Sequence, residues 1–383
     1  MALSDESPEI GRDALDPVGP STPWSRLFPP RRSALGISAS SAPALAFILI
    51  GFSLGPHGLA VLTPSVIIRL DPVVSIALAA LGIFVGLGIA ATGAFERSRM
   101  IAAALVEVLL TFAVVGGGLY VLLTAWKVIL GVDVALFAAV LGTCASASAA
   151  VRIAGGGAAA RVARTADLDD LPLVALGTIV VALSASRPTM RAAVVMVVAS
   201  VLAGSAGWML FERARSEAER GAFVAGTVIL LGGLGGYTGM SPLLGGTVAA
   251  LVWAWSPGHA DRIIASDLRK LQHPLVALLL VIAGASVQLQ YVLLWIAAPL
   301  VLLRHMGKLL ASMVVARAVA VPASLLATVL LPPGVLGVAV ALNVQQHLDT
   351  RAVLLVSSVT VAAAVAEMVS LVLALPDTSD GAS

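Results

Sequence analysis

The sequence predicts an all-α polytopic membrane protein of about twelve transmembrane helices, and three observations carry that prediction. Hydrophobic residues make up 59% of the 383 and charged residues 11%, with a mean hydropathy of +1.01, which is more apolar surface than a soluble core absorbs. Apolar runs near the roughly 20 residues that a bilayer crossing needs follow one another with short polar punctuation. Lys and Arg gather in alternate connections, as a fixed orientation in a bilayer requires.

Residues 1–33 are rich in Pro, Ser and charge, lack the features of a secretory signal, and are expected to form a flexible cytoplasmic tail. A transmembrane domain is expected over 34–375, and residues 376–383 form a short polar tail. Within it, apolar runs cover roughly 36–53, 73–91, 99–124, 132–155, 165–186 and 190–211, then 220–237, 241–256, 272–288, 291–316, 319–347 and 351–375. With the N-terminus inside, fifteen basic residues fall on the cytoplasmic side, among them Arg97, Arg99, Arg164, Arg213, Arg262 and Arg317. Five fall outside: Arg69, Lys127, Arg187, Arg191 and Arg351. That asymmetry places both termini in the cytoplasm.

Several function classes are excluded by what the chain carries. Cys144 is the single cysteine, so there is neither an internal disulfide nor a cysteine-based metal cluster. His57 and His273 stand alone without metal-ligand spacing, and no tight metal site or cofactor is expected. No phosphate-binding loop or hydrolytic triad is present, so the chain is not expected to be an enzyme. The basic residues are scattered between spans, which speaks for topology and not for nucleic acid.

Charges inside the apolar runs are unevenly spread. Setting aside residues at the very ends of the runs, runs three, four, five, ten and twelve hold Glu107, Arg152, Asp169, Asp170, Arg304, Lys308 and Glu367, whereas runs one, two, seven and eight hold none. An apolar scaffold and a charged transport core are the expected division. At about 1.5 Å per residue, Glu107, Lys308 and Asp169 sit roughly 8–13 Å in from the cytoplasmic side, the shared depth of a water-filled funnel. Asp169 and Asp170 head run five and read either as an intramembrane ion or proton site or as a helix cap. Lys308 reads as a functional cation, which at depth needs an acidic partner, or as a snorkelling lysine. Arg304 and the acids Glu107 and Glu367 are candidates for core ion pairs.

Two runs look broken. Run four gathers small and hydroxyl residues over 142–148, including Thr143, Ser146 and Ser148 as possible ion ligands, and run eleven carries LPPGVLG over 331–337, which no helix accommodates. Matched interruptions in the two halves of a transporter point to a binding site, and small-residue packing or a plain loop are the alternatives.

Five phrases taken in order resemble the monovalent cation:proton antiporters, the superfamily of bacterial sodium/proton and potassium/proton exchangers. They are LIGFSLGPHGL (49–59), ALGIFVGLGI (80–89), GMSPLLGGTVAAL (239–251), LVLLRHMGKLLAS (300–312) and LLPPGVLGVAVAL (330–342). The resemblance covers roughly 40–375. It implies two inverted-topology repeats, with core helices about 99–186 and 291–375, broken helices four and eleven, panel and dimer helices about 36–91 and 220–288, and a linker helix about 190–211. It also implies that LDDL (168–171) supplies the ion- and proton-binding acids Asp169 and Asp170, and that Gly307-Lys308 supplies the charge partner. Counted from the hydroxyl cluster, the acidic position falls instead on Leu176-Gly177. Counted from Arg187, it falls on the Asp pair with a shortened preceding loop.

The function so implied is exchange of Na⁺ or K⁺ for protons by alternating access, in a homodimer of a bacterial inner membrane. A sodium-coupled symporter or anion carrier using hydroxyl ligands is one alternative. A degenerate, non-transporting sensor or subunit is the other.

Overall fold

The computed structural model describes residues 38–90, 94–126, 134–146, 170–184, 190–256, 260–346 and 350–373. The tails and Asp169, Ser148 and Arg152 lie outside the described residues. All regular structure described is helical. In chain order the helices are α1 Ser38–Leu54, α2 Pro64–Arg69, α3 Asp71–Ala90, α4 Ala94–Ala125, α5 Val134–Thr143, α6 Asp170–Ser184 and α7 Met190–Arg213. They continue as α8 Glu217–Thr238, α9 Pro242–Trp255, α10 Ala260–Ala285, α11 Tyr291–Val319, α12 Ala323–Leu330, α13 Val335–Gln345 and α14 Thr350–Leu373.

Each apolar run contains a helix, and the eleventh is split into α12 and α13. Two boundaries differ from expectation for physical reasons. The short α2 begins at Pro64, with Thr63 as its N-cap, in a segment too brief for a hydropathy window to register. Helix α10 starts at Ala260, well before the run expected from 272, because Asp261, Arg262, Asp267, Arg269 and Lys270 depress the local hydropathy. Ile264 and Leu268, four apart on one helical face, are nonetheless buried with Phe211, Leu231 and Trp253.

Helix α3 packs against α9 at backbone distance. A Cβ on Gly246 would meet the Ala79 carbonyl oxygen at 1.9 Å, and the Thr247 hydroxyl donates across the same seam to the Gly82 carbonyl at 3.1 Å. Small residues permit this approach, which is how helices associate where lipid removes the hydrophobic drive between them. Helices α7 and α8 join this group, and the Trp253 indole on α9 donates to the Gly204 carbonyl on α7 at 2.7 Å. A second group forms where α11 packs on α4 and α14, while α5 packs on α6, α13 and α14. Helix α1 lies along α10 and touches α14.

Among the described residues, four helices are long and apolar enough to cross a membrane: Ile101–Ala125, Arg191–Arg213, Glu217–Thr238 and Trp295–Val319. Their outward faces carry exposed Val198, Leu202, Ile229, Leu302, Met306 and Met313, side chains suited to acyl chains. Trp126 and Trp295 stack edge to face at 5.4 Å where α4 ends and α11 begins, in keeping with an interfacial aromatic belt.

Candidate functional site

Helix α5 stops where short polar side chains turn back on its own backbone. The Thr143 hydroxyl donates to the Val140 carbonyl at 2.7 Å and the Cys144 thiol to the same oxygen at 3.3 Å, bonds that compete with continuation of the helix. Helix α12 stops because Pro332 and Pro333 have no N–H to give. The two breaks meet. Ser146 and Pro333 form an antiparallel bridge, and the Gly334 N–H donates to the Ala145 carbonyl at 3.2 Å. Glycines set the separation: a Cβ on Gly337 would lie 2.0 Å from the Gly142 carbonyl oxygen, and one on Gly334 would lie 2.1 Å from that of Ser146.

Helix α11 presents two cations to this crossing from residues one turn apart. The Arg304 guanidinium, 2% exposed, donates to the carbonyls of Ala145 at 2.9 Å, Pro332 at 3.1 Å and Leu330 at 3.4 Å, and to that of Leu331. Lys308 donates to the Ser146 hydroxyl at 2.7 Å and forms an ion pair with Glu107 Oε1 at 2.7 Å, both side chains being fully buried. The Thr111 hydroxyl, one turn along α4, donates to the same carboxylate oxygen at 3.2 Å. The two helices come close enough for this because residue 307 is glycine, whose absent Cβ would sit 3.2 Å from Thr111 Cα. Gly307→Val is therefore expected to push α11 off α4 and to lower stability by about 1–3 kcal/mol, read as a drop in the thermal midpoint of the purified protein.

The structure rearranges the expected core ion pairs. Glu107 pairs with Lys308 and not with Arg304, whose guanidinium bonds to backbone carbonyls. Glu367, 3% exposed, lies elsewhere, with the Leu45 backbone N–H of α1 against its carboxylate. Thr143 is buried and bonded within its own helix.

Asp170 is 6% exposed at the head of α6. Leu173 and Val174, in the next turn, share an apolar cluster with Ala104 and Val108 of α4, Cys144 and Ala145 of the first break, and Leu336 of α13. Seven residues further, about 10 Å along the helix, Gly177 faces Val340 and Leu141, with a Cβ there only 3.2 Å from the Val340 side chain. The Leu176-Gly177 position thus meets close apolar packing. Among the described residues no three His, Cys, Asp or Glu side chains gather as a metal centre. Among the described residues, the side-chain oxygens of Ser146 and Glu107 lie at the crossing, and Asp170 heads α6, whose next turn packs on Cys144 and Ala145.

Three participants escaped the sequence reading. Thr111 had one weak signal, its place four residues after Glu107. The Ala145 carbonyl had none. Asn343, 1% exposed on α13, donates to the Ser241 hydroxyl that caps α9 at 2.8 Å, and an amide inside an apolar half-helix was its signal.

No family model matches the sequence, and no curated protein matches it. Among solved structures, the chain is similar to the sodium proton antiporter MjNhaP1 from Methanocaldococcus jannaschii at pH 8, with a TM-score of 0.60 and 13% identity. The similarity covers 86% of this chain and 92% of that one. At that identity the likeness establishes the fold: this chain has the helical architecture of a sodium/proton antiporter.

Proposed function

We propose that the chain is a secondary transporter that exchanges a monovalent cation, Na⁺ or K⁺, for protons by alternating access. One observation carries the reading: a fully buried lysine–carboxylate pair, Lys308 and Glu107, reaches a hydroxyl at the crossing of two broken helices. Charge at such depth is costly and marks an ion or proton path. Broken helices at mid-membrane supply the irregular, polar backbone that such a path needs.

The chemistry follows from the groups present. A carboxylate at the crossing can hold a proton or contribute to a cation's oxygen shell, and each occupant excludes the other. Asp170, with Asp169 before it, is assigned that role, and Ser146 supplies a neutral oxygen. Lys308 balances the charge left when neither occupant is bound. Moving this one site between the two faces of the membrane then couples cation flow to proton flow. The asymmetry of Lys and Arg supports cytoplasmic termini. The membrane is assigned as a bacterial inner membrane, and the panel helices over about 36–91 and 220–288, α1–α3 and α8–α10, are assigned to a homodimer.

The test is exchange in proteoliposomes with an imposed pH gradient. Addition of Na⁺ or K⁺ is expected to collapse the gradient with the wild type, whereas Asp170→Asn gives the response of empty liposomes. An Asp170→Asn protein that exchanges at the wild-type rate would reduce this carboxyl to a helix cap.

A further inference from the structure

We propose that Arg304 is a tethered cation filling a carbonyl cage at the crossing, so that the cage is a guanidinium site and the transported ion is left to side-chain oxygens. The second half of this statement rests on the exchanger reading; the first does not.

The cage arises from sequence. Pro332 and Pro333 stand where N–H donors would serve the carbonyls of Thr328 and Val329, so α12 ends with acceptors in excess and the negative end of its dipole exposed. The next three carbonyls, of Leu330, Leu331 and Pro332, converge on the guanidinium, and the Ala145 carbonyl joins them from the other break. Unwound backbone of this kind is what transporters offer to a cation. Here a side chain of the protein occupies it. A planar guanidinium donates in several directions at once and so spans both breaks, which a single ammonium cannot do as well. Lys308, one turn on, is committed to Ser146 and Glu107. Labour is thereby divided: Arg304 is a positioning residue that clasps the two broken ends, and a travelling cation meets the oxygens of Ser146, Glu107 and Asp170.

The experiment is a thermal melt of the full-length protein in detergent, titrated with guanidinium chloride at millimolar, non-denaturing concentrations, with urea and sodium chloride as controls. Arg304→Ala is expected to melt below the wild type and to be raised saturably by guanidinium alone, as binding to a folded-state site requires. The wild type and Arg304→Lys show no such rise, and Arg304→Lys melts below the wild type. In proteoliposomes, Arg304→Ala is expected to exchange about tenfold more slowly or worse, from the loss of charged hydrogen bonds. Guanidinium is expected to restore part of that rate, with the KM for the transported cation unchanged.

Absence of a guanidinium-specific rise in Arg304→Ala would overturn the cage. If that variant cannot be purified, an Arg304→Lys protein as stable as the wild type overturns it equally. A changed cation KM in the rescued variant would place Arg304 on the ion path and overturn the division of labour. The melt reads the cage even in a protein that exchanges nothing, so its failure is distinct from failure of the exchanger reading.

Discussion

Lys308→Met is expected to abolish exchange and to destabilise the protein by about 3–5 kcal/mol, because it leaves the Glu107 carboxylate buried without its counter-charge. The cost lies in the orphaned acid more than in the lost attraction. A fully buried pair gains Coulomb energy but forfeits the hydration of both ions, so the intact pair contributes little net stability. The second variant of the cycle separates these terms. Lys308→Met combined with Glu107→Leu removes both charges from a buried site whose remaining polar groups are the Ser146 and Thr111 hydroxyls, and is expected to regain most of the lost stability. Exchange stays absent in the double variant, because the charge that balances the empty site is gone. Unfolding of the purified proteins and proteoliposome exchange give the two readouts. Additive losses of stability would mean that Lys308 and Glu107 do not act as a pair. Full exchange by the double variant would remove both residues from the transport cycle.

The parts of this site that were legible in the sequence are those written in local chemistry. Pro332 and Pro333 announce a break wherever they fall in a helical run, since neither offers an N–H. Lys308 announces a cation inside an apolar run, which at depth needs an acidic partner. The common depth of Glu107 and Lys308 followed from counting residues inward from Arg99 and Arg317. What counting could not supply was the partner. Whether Glu107 meets Lys308 or Arg304 depends on the register of α4 against α11, and the two candidate cations are one turn apart on the same face. The Gly307–Thr111 approach sets that register, and it is a fact of packing. The acceptors of Arg304 were invisible for a stricter reason: they are backbone carbonyls, which every residue carries. The amphipathic start of α10 was hidden because hydropathy averages over charges, while helical burial asks only that Ile264 and Leu268 share a face.

Gly337→Ala is expected to lose both stability and exchange, against the sign of helix propensity. Alanine is favoured over glycine inside a helix by about 1 kcal/mol, so a residue on α13 free of neighbours would gain from the change. Gly337 has a neighbour that cannot yield. The added Cβ would sit 2.0 Å from the Gly142 carbonyl oxygen and 3.1 Å from the Ala145 side chain, and the first of these is backbone of the opposing half-helix. Relief requires the crossing to open by on the order of 1 Å. Opening stretches the Gly334–Ala145 hydrogen bond and draws Ala145 from Arg304, so strain at one methyl spreads to both breaks. Gly117→Ala on α4 is the matched control: a Cβ there meets nothing within 4 Å, and the same substitution is expected to leave exchange intact and to raise the thermal midpoint slightly. Opposite signs in the two variants, read by thermal melts and exchange, tie the loss to the crossing. A Gly337→Ala protein as stable and active as Gly117→Ala would mean that the two broken helices do not touch where this structure joins them.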